Sequence, residues 1–222
     1  TFVGEGRLAI HNASGRVFFR TSNALQNSIV AVIDGDRTSP TFNALLAQIP
    51  AGWETSGGYL AVDQAAARVA FTTPGSLSTT ILNAQTNAVV GTVHIAQAPG
   101  RVVMDATTHT AWVTGAVGLI QAIDLNTATA QIAYIGTDIG FPVVDPTTHA
   151  ALVPRTSFNS RIAVIDATGL AATVIPPTQD GRYQFAVGNG TTKRINVANL
   201  GAKAVARGGA GAGFVGCLGV VT

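Results

Sequence analysis

Apolar residues along this chain occur in short runs, rich in Val, Ile, Phe and Thr, that are separated by Gly, Pro, Asn and Asp. Runs of this length and composition predict β-strands and not helices. Four such runs follow one another in the stretch from Gly100 to Gly136. They predict strands at Arg101–Met104, Thr110–Thr114, Leu119–Asp124 and Ala130–Ile135. Because the connections are short, neighbouring strands are expected to pair antiparallel.

The same pattern recurs along the chain as a repeat. The segment Asp105-Ala-Thr-Thr-His109 aligns with Asp145-Pro-Thr-Thr-His149, and a glycine begins each unit. The units cover about residues 6–57, 58–99, 100–139, 140–180 and 181–222. A repeat period of about 40 residues is typical of a β-propeller, in which each four-stranded unit is one blade. The sequence therefore predicts an all-β fold, a single β-propeller domain over residues 1–222 with about five blades of four antiparallel strands.

The first residues of the chain lie outside this repeat. Thr1-Phe2-Val3-Gly4 resembles the end of an outermost strand, so we expect the N-terminal strand to complete the last blade and close the ring. The alternative is that the chain is part of a larger propeller. Thr1 stands where an initiator Met would be, which we interpret as a processed or excised polypeptide, one case of which is the mature form of an exported protein.

The repeat units resemble the YVTN-type β-propeller repeats of bacterial and archaeal surface and periplasmic proteins. The naming tetrad falls on Trp112-Val113-Thr114-Gly115, with Phe18–Thr21, Ala70–Thr73 and Leu152–Arg155 in register. The resemblance implies a propeller fold and a periplasmic, secreted or cell-surface location. It specifies a function far less well than a fold. Members of this family usually have more blades, about seven, than this length supplies.

The composition excludes several classes of binding partner but does not identify one. Only 11% of the 222 residues are charged and the net charge is +2, with no basic cluster, so neither nucleic acid nor an anionic membrane is expected as a partner. No apolar run is long enough for a transmembrane segment. Cys217 is the single cysteine, which excludes an internal disulfide and a cysteine-rich zinc site, and its apolar neighbours predict a buried, inert thiol.

The most conspicuous polar residues belong to the repeat and are interpreted as structural. His109 and His149 each end a five-residue turn, where short polar side chains bond the local backbone. One polar residue opens a second turn in each of the first four units: Asp34, Asn83, Asp124 and Asp166. Trp112 fills a repeat position on a strand and is expected in the core. No recognised catalytic motif is present in the sequence.

Propellers place their sites at the mouth of the central channel, on the loops between blades and those between the second and third strands. The candidate ligand-binding residues on these loops are Trp53, Glu54, Arg101, Asp138, Arg155, Asp180 and Arg182. Trp53 beside Glu54, in an inserted loop, suits recognition of a sugar, an amine or a protein surface. The alternative for Trp53 is a loop aromatic that folds over the edge of the core.

Three functions remain open at this point. The first is a non-catalytic binding or scaffolding module that recognises a protein partner, a small ligand or a glycan through loops at one face, without a cofactor. The second, implied by resemblance to propeller lactonases and lyases, is a metal-dependent enzyme in which Glu54, Asp138 and Asp180 would hold calcium or magnesium. The third is an accessory subunit of a larger extracytoplasmic assembly, which an apolar outer surface would favour.

Overall fold

The computed structural model describes residues 3–22, 27–52, 58–95, 97–137, 139–155, 162–166, 172–175, 183–189, 194–199, 204–209 and 219–220. The chain forms two compact units. Unit 1 comprises Thr1–Gly115 and Ile123–Ala130, and unit 2 comprises Ala116–Ala122 and Gln131–Thr222. The prediction that residues 1–222 make a single domain with the five repeat boundaries given above stays a prediction.

Throughout the described part of the chain, regular structure consists of strands and three short 3-10 turns. The strands of the first two sheets are β1 (Val3–His11), β2 (Arg16–Ser22), β3 (Ser28–Asp34), β4 (Leu45–Pro50), β5 (Leu60–Asp63), β6 (Arg68–Thr73), β7 (Ser78–Asn83) and β8 (Val89–His94). Those of the third and fourth are β9 (Pro99–Asp105), β10 (Thr110–Gly115), β11 (Leu119–Asp124), β12 (Thr129–Tyr134), β13 (Val143–Val144), β14 (Ala151–Pro154), β15 (Ile162–Ile165) and β16 (Ala172–Ile175). The fifth contains β17 (Tyr183–Asn189), β18 (Arg194–Asn199), β19 (Ala204–Gly209) and β20 (Gly219–Val220).

These strands make five four-stranded sheets among the described residues, and within each sheet the strands follow one another in chain order. Neighbouring strands pair antiparallel. The predicted all-β propeller class with four-stranded blades is confirmed. Repetition of one antiparallel sheet is the arrangement that the recurring strand pattern requires.

The predicted role of the N-terminal strand is wrong. Val3 is the first residue of β1 and pairs with Ser22 of β2, so Val3 and Gly4 belong to the first strand of the first sheet, whereas Thr1 and Phe2 lie outside the described residues. The fourth position in the last sheet is held by β20, which pairs with β19. The physical reason is continuity, because β1 runs from Val3 to His11 as one strand across a single irregularity in its register.

The connections between strands lie at the two ends of each four-stranded sheet. In unit 1 the amide of Thr72, at the end of β6, donates to the carbonyl of Tyr59, just before β5, at 2.8 Å. At the same end the Ile95 amide, just after β8, donates to the carbonyl of Leu77 between β6 and β7. We call this end, which carries the connections between sheets and those between the second and third strands, the loop end. The opposite end carries the tight turns and is called the turn end.

The core of unit 1 lies between neighbouring sheets. Phe18, Val30 and Val32 of the first sheet pack with Val69, Phe71 and Leu82 of the second in one buried cluster. A second cluster joins the other face of the second sheet, through Ala70 and Ile81, to Val102, Ala111 and Val113. The middle strands are therefore buried on both faces, which explains why the chain carries so few charges. Trp112 is 0% exposed, as predicted for a core residue.

The turn end is held by carboxylates that bond to backbone amides. Asp105 Oδ1 accepts from the amide of Thr107 at 3.0 Å, and Asp124 Oδ1 accepts from that of Asn126 at 2.7 Å. Asp145 repeats the pattern with Thr147 at 3.0 Å. These are Asx turns, in which an aspartate replaces a backbone acceptor. The turn role that the sequence predicts for these aspartates is confirmed.

One turn also bonds to the next repeat, which the sequence did not predict. The buried Asp63 accepts from the amides of Ala65 and Ala66 through Oδ1, while its Oδ2 lies 2.8 Å from His109 Nδ1. His109 has a left-handed backbone, with φ of 56°. The histidine of the repeated turn therefore joins the second and third sheets of unit 1. This contact gives His109 a structural role, as interpreted from the sequence, but between repeats and not within its own turn.

The first repeat has a longer turn around Asp34. Asp34 Oδ2 accepts from the hydroxyls of Ser39 and Thr41, both at 2.6 Å, and its Oδ1 accepts from the amide of Asp36 at 2.9 Å. The hydroxyl of Ser39, then that of Thr41 and the Asp36 amide lower the pKa of Asp34 below its ordinary value of 3.8. These bonds favour the charged carboxylate.

Replacing Asp63 by Ala should cost more stability than the same change at Asp124. Asp63→Ala removes the turn bonds and the contact with His109, and we expect a loss of about 2–3 kcal/mol in the free energy of unfolding. Asp124→Ala, the matched control, removes turn bonds of the same kind and should cost about 1 kcal/mol. Urea unfolding followed by tryptophan fluorescence measures both values, and equal losses would contradict a stabilising contact between the repeats.

Acidification should remove the stabilisation that Asp34 supplies. Because the folded-state pKa is lowered, this contribution is present above the unfolded value near 3.8 and disappears as pH falls through the folded pKa. The difference in Tm between the wild type and Asp34→Asn should therefore be constant near neutral pH and shrink in acid below that value. A Tm difference that does not change with pH would show that the charge of Asp34 does not stabilise the turn.

Candidate functional site

At the loop end of unit 1, the first strands of the second and third sheets begin near a repeat glycine. Gly58 and Gly100 each stand just before the residue of interest at the beginning of a first strand: Tyr59 directly precedes β5, and Arg101 is the third residue of β9. The strands β1, β5 and β9 lie beside one another in that order. Residues at this repeat position therefore lie on adjacent strands at the same end of the unit.

Arg101 and Tyr59 contact each other across two sheets. Arg101 Nε donates to the hydroxyl of Tyr59 at 3.4 Å, and the guanidinium carbon lies 5.7 Å from the centre of the Tyr59 ring. Both side chains are half-buried. A guanidinium over an aromatic face is attracted by the ring quadrupole, by about 0.5–1 kcal/mol at exposed sites. The ring therefore holds the cation in place while part of it stays accessible to solvent.

Two buried threonines fix the backbone of this pair through their hydroxyl groups. Thr72 Oγ1 accepts from the amide of Tyr59 at 2.9 Å and donates to the carbonyl of Gly100 at 2.9 Å. Thr114 Oγ1 accepts from the amide of Arg101 at 3.0 Å. The threonines occupy the same repeat position on β6 and β10. The two hydroxyls bond the carbonyl and the amide of the peptide between Gly100 and Arg101, and Thr72 also bonds the amide of Tyr59, so the two strand starts are held in register.

Gly100 allows this close approach. A Cβ at this position would lie 3.2 Å from both the carbonyl oxygen and the hydroxyl oxygen of Thr114. A side chain there would push β9 away from β10, at the point where Arg101 receives its backbone bond. The repeat glycine is therefore needed for backbone packing at this end, not for a turn.

A buried arginine replaces the threonine in the first repeat. Arg20, 5% exposed, donates through Nη1 to the carbonyl of Thr72 at 2.7 Å and through Nη2 to that of Ala51 at 3.4 Å. Gly58 leaves room for the guanidinium of Arg20, because a Cβ at position 58 would clash with it. Arg20 is thus a supporting residue that caps two backbone carbonyls. Its alignment with Thr72 and Thr114 in the repeat was the sequence signal for this role.

An apolar side chain is exposed at the same end. Leu77 follows the short 3-10 turn Pro74–Ser76 between β6 and β7, with a left-handed backbone at φ of 48°. Its side chain is 40% exposed. Leucine rarely adopts this conformation, because its Cβ meets the following carbonyl. The position therefore presents an apolar side chain to solvent at a conformational cost.

Two of the seven candidate residues predicted from the sequence, Arg101 and Arg155, are among the described residues. Arg101 belongs to the pair just described. Arg155, in unit 2, is half-buried, makes an isolated bridge with Ile139, and lies so close to Gly136 that a Cβ there would be 2.7 Å from Nη2. Among the described residues its Nε has no hydrogen-bond partner. The remaining five, Trp53, Glu54, Asp138, Asp180 and Arg182, lie outside the described residues.

Tyr59 is not among the candidates predicted from the sequence, although the repeat contains a pattern that points to it. The residue that follows the repeat glycine is Arg7, Tyr59, Arg101, Phe141 and Arg182 in successive units. Cations and aromatic residues alternate at this position. Comparison of this single column across the repeats would have identified Tyr59 together with Arg101.

The described residues contain no group of three or more His, Cys, Asp or Glu side chains placed to hold a metal ion. The carboxylates on which the divalent-cation alternative depends, Glu54, Asp138 and Asp180, lie outside them, as does Cys217. A search of the described residues finds no helix long and apolar enough to cross a membrane.

Comparisons with known proteins agree on the fold. No family model matches the chain, and no curated protein matches its sequence. Among solved structures, the chain is similar to a Lactobacillus plantarum protein with a TM-score of 0.71 and 13% identity, over 97% of this chain and 69% of that one. It is similar to Chaetomium thermophilum Raptor with a TM-score of 0.70 and 12% identity, over 90% of this chain and 19% of Raptor. Kuenenia stuttgartiensis hydrazine synthase gives a TM-score of 0.65 and 13% identity over 90% of this chain and 63% of that chain. The chain thus spans about a fifth of the Raptor chain, and identities this low show a shared propeller-like fold alone.

Proposed function

We propose that this protein is a non-catalytic binding module that recognises its ligand or partner at the loop end of unit 1. The observation that carries the proposal is the half-buried Arg101 guanidinium held against the Tyr59 ring, on a backbone fixed by Thr72 and Thr114. Cation and aromatic are the two side-chain types that most often dominate binding surfaces. The resemblance to YVTN-type repeats supports a periplasmic or cell-surface location.

The chemistry of the pair suits recognition better than catalysis. An arginine keeps its proton throughout the physiological pH range, so Arg101 supplies a fixed charge but no proton-transfer step. The hydroxyl of Tyr59 accepts from Arg101 and so helps to orient the guanidinium. A cation already held against an aromatic ring lowers the entropic cost of binding. The mechanism is therefore noncovalent capture on a rigid sheet end.

Binding should depend on Arg101 and not on total charge. Peptide and glycan arrays probed with the wild type identify a bound probe, and Arg101→Ala should weaken its binding about tenfold. The control is Arg37→Ala, which removes the same charge from an exposed side chain at the turn end and should bind normally. Circular dichroism melting confirms that both variants fold.

Two results would contradict the proposal. One is a bound probe whose affinity is unchanged by Arg101→Ala and also by Tyr59→Ala, which would place recognition elsewhere. The other is turnover of lactone substrates by the purified chain with calcium or magnesium, at a rate that chelation abolishes. The second result would favour the metal-dependent hydrolase or lyase.

A second candidate function is that of an accessory subunit in a larger assembly. The fourth strands of the first two sheets expose apolar side chains: Leu45 is 44% exposed on β4, and Val89 is 56% exposed on β8. Their neighbours Leu46 and Val90 are each 39% exposed. Apolar side chains at successive sheet edges are typical of surfaces that another protein covers.

The subunit candidate predicts association that depends on these side chains. The wild-type chain should associate in light-scattering measurements, whereas the double variant Leu45→Lys, Val89→Lys should be monomeric. Gln48→Lys adds a charge on the same strand at an exposed polar position, and it should associate as the wild type does. A wild-type chain that is strictly monomeric would count against this candidate.

A further inference from the structure

The turn between β1 and β2 contains the sequence Asn12-Ala13-Ser14. An asparagine followed by any residue except proline and then by Ser or Thr is the acceptor sequence for an N-linked oligosaccharide in exported proteins. A second such sequence, Asn189-Gly190-Thr191, begins at the last residue of β17, at the turn between the first and second strands of the fifth sheet. Gly190 and Thr191 lie outside the described residues, whereas Asn12, Ala13 and Ser14 are all described.

A three-residue sequence of this kind often occurs by chance, so the surroundings of the asparagine decide whether it can carry a sugar. Asn12 and Ala13 are both exposed. They begin the 3-10 turn Asn12–Ser14, which Gly15 closes with a left-handed backbone at φ of 63°. This turn belongs to the turn end, the opposite end of the strands from Tyr59 and Arg101. A group attached to Asn12 therefore projects into solvent, away from the proposed binding residues.

The fold uses the backbone of Asn12 and not its side chain. The amide of Asn12 donates to Gln64 Oε1 at 2.9 Å, and its carbonyl accepts from the amide of Gly15 at 3.2 Å. Within the part of the chain that the structure describes, the side-chain amide of Asn12 makes no hydrogen bond. A sugar on this nitrogen would therefore break no contact that stabilises the turn.

Two other asparagines at the turn end are used differently. Asn83 Oδ1 accepts from two backbone amides of its own turn, at 2.8 and 2.9 Å. Asn87 Oδ1 accepts from Arg16 Nη1 at 3.0 Å. Neither of these asparagines is followed two residues later by Ser or Thr. The acceptor sequence thus falls on a turn asparagine whose side chain the fold leaves unbonded.

The contacts of Ser14 indicate when a sugar could be added. Ser14 is half-buried, its hydroxyl lies 2.8 Å from His11 Nδ1, and it donates to the carbonyl of Ala84 at 3.4 Å. A transferase that reads both the asparagine and the serine needs the segment free of these contacts. Transfer therefore precedes the folding of this turn, and the exposed position of Asn12 accommodates the sugar afterwards.

We propose that Asn12 carries an N-linked oligosaccharide, added while the chain is exported. In the transfer, Asn12 Nδ2 forms a bond to the anomeric carbon of a lipid-linked oligosaccharide. The bond between that carbon and the phosphate oxygen of the lipid carrier breaks, the lipid phosphate leaves, and the amide nitrogen releases one proton. The inference goes beyond the binding function proposed above. It requires the periplasmic or cell-surface location proposed there, but not the loop-end site.

Peptide mapping of the protein purified from the cells that produce it tests this inference. Trypsin cleaves after Arg7 and Arg16, so Asn12 lies in the peptide of residues 8–16. That peptide should be heavier than its sequence by at least one hexose or N-acetylhexosamine, and fragmentation should place the sugar on Asn12. Asn189 lies in the separate peptide of residues 183–193. An unmodified peptide of residues 8–16 as the only form overturns the inference, whether or not Asn189 is modified.

Variants produced in the same cells identify the attachment site. Asn12→Gln should remove the sugar from the peptide of residues 8–16, because the glutamine amide is no acceptor, whereas Ser14→Thr should retain it. The matched control is Asn126→Gln, which changes an exposed turn-end asparagine outside any acceptor sequence and should leave the sugar in place. A sugar that persists on this peptide in Asn12→Gln would show attachment elsewhere and would contradict the inference.

A binding measurement keeps this inference separate from the proposed function. Asn12→Gln should bind any probe identified for the loop end as the wild type does, because the altered side chain lies at the turn end. It should also melt at the temperature of the deglycosylated wild type, because the asparagine side chain makes no bond to lose. A lower melting temperature would overturn the claim that the fold leaves this side chain free to be modified.

Discussion

Each middle strand of unit 1 is apolar on both faces, so a sheet is stable only when a neighbouring sheet covers it. Val69 and Phe71 of β6 face the first sheet, while Ala70 between them belongs to the cluster shared with the third. Burial of this kind contributes about 25 cal/mol per Å² of apolar surface, and it leaves no room for charge in the layers between sheets. The charged side chains that the structure shows hydrogen-bonded to backbone groups, among them Arg20, Asp63 and Asp105, lie at the ends of the strands.

The two ends use those polar groups differently. At the turn end the aspartates bond to nearby amides, and Asp63 also bonds to His109 of the next repeat. At the loop end the hydroxyls of Thr72 and Thr114 bond to the backbone at the start of β5 and β9, where the side chains of Tyr59 and Arg101 contact each other. One end therefore completes the fold, and the other presents side chains on a backbone that is already satisfied. At both ends these bonds satisfy polar groups that burial would otherwise leave without a partner.

Local patterns in the sequence were sufficient for the strands but not for contacts between repeats. Leu119–Asp124 was predicted with the bounds observed, and Arg101–Met104 differs from β9 by two residues at one end and one at the other. The N-terminal strand was assigned to the wrong sheet because a short apolar segment carries no information about its pairing partner. The Asp63 contact with His109 joins residues 46 positions apart, and nothing in either turn specifies the distance between them. Of the candidate site, Arg101 was found from its place in a loop, whereas Tyr59 required a comparison between repeats.

The left-handed residue in the turn between the first and second strands places unequal constraints on neighbouring repeats. Ala67 and His109 occupy this position, with φ of 51° and 56°, and a side chain there costs about 1–2 kcal/mol relative to a right-handed backbone. At Ala67 the partly buried methyl group packs against the core, so a glycine would exchange backbone strain for lost packing. At His109 a glycine would relieve the same strain but would leave the carboxylate of Asp63 buried without its imidazole. Whether a substitution at this repeat position is tolerated thus depends on the residue that the preceding repeat places against it. Adjacent repeats with similar backbones are therefore not interchangeable.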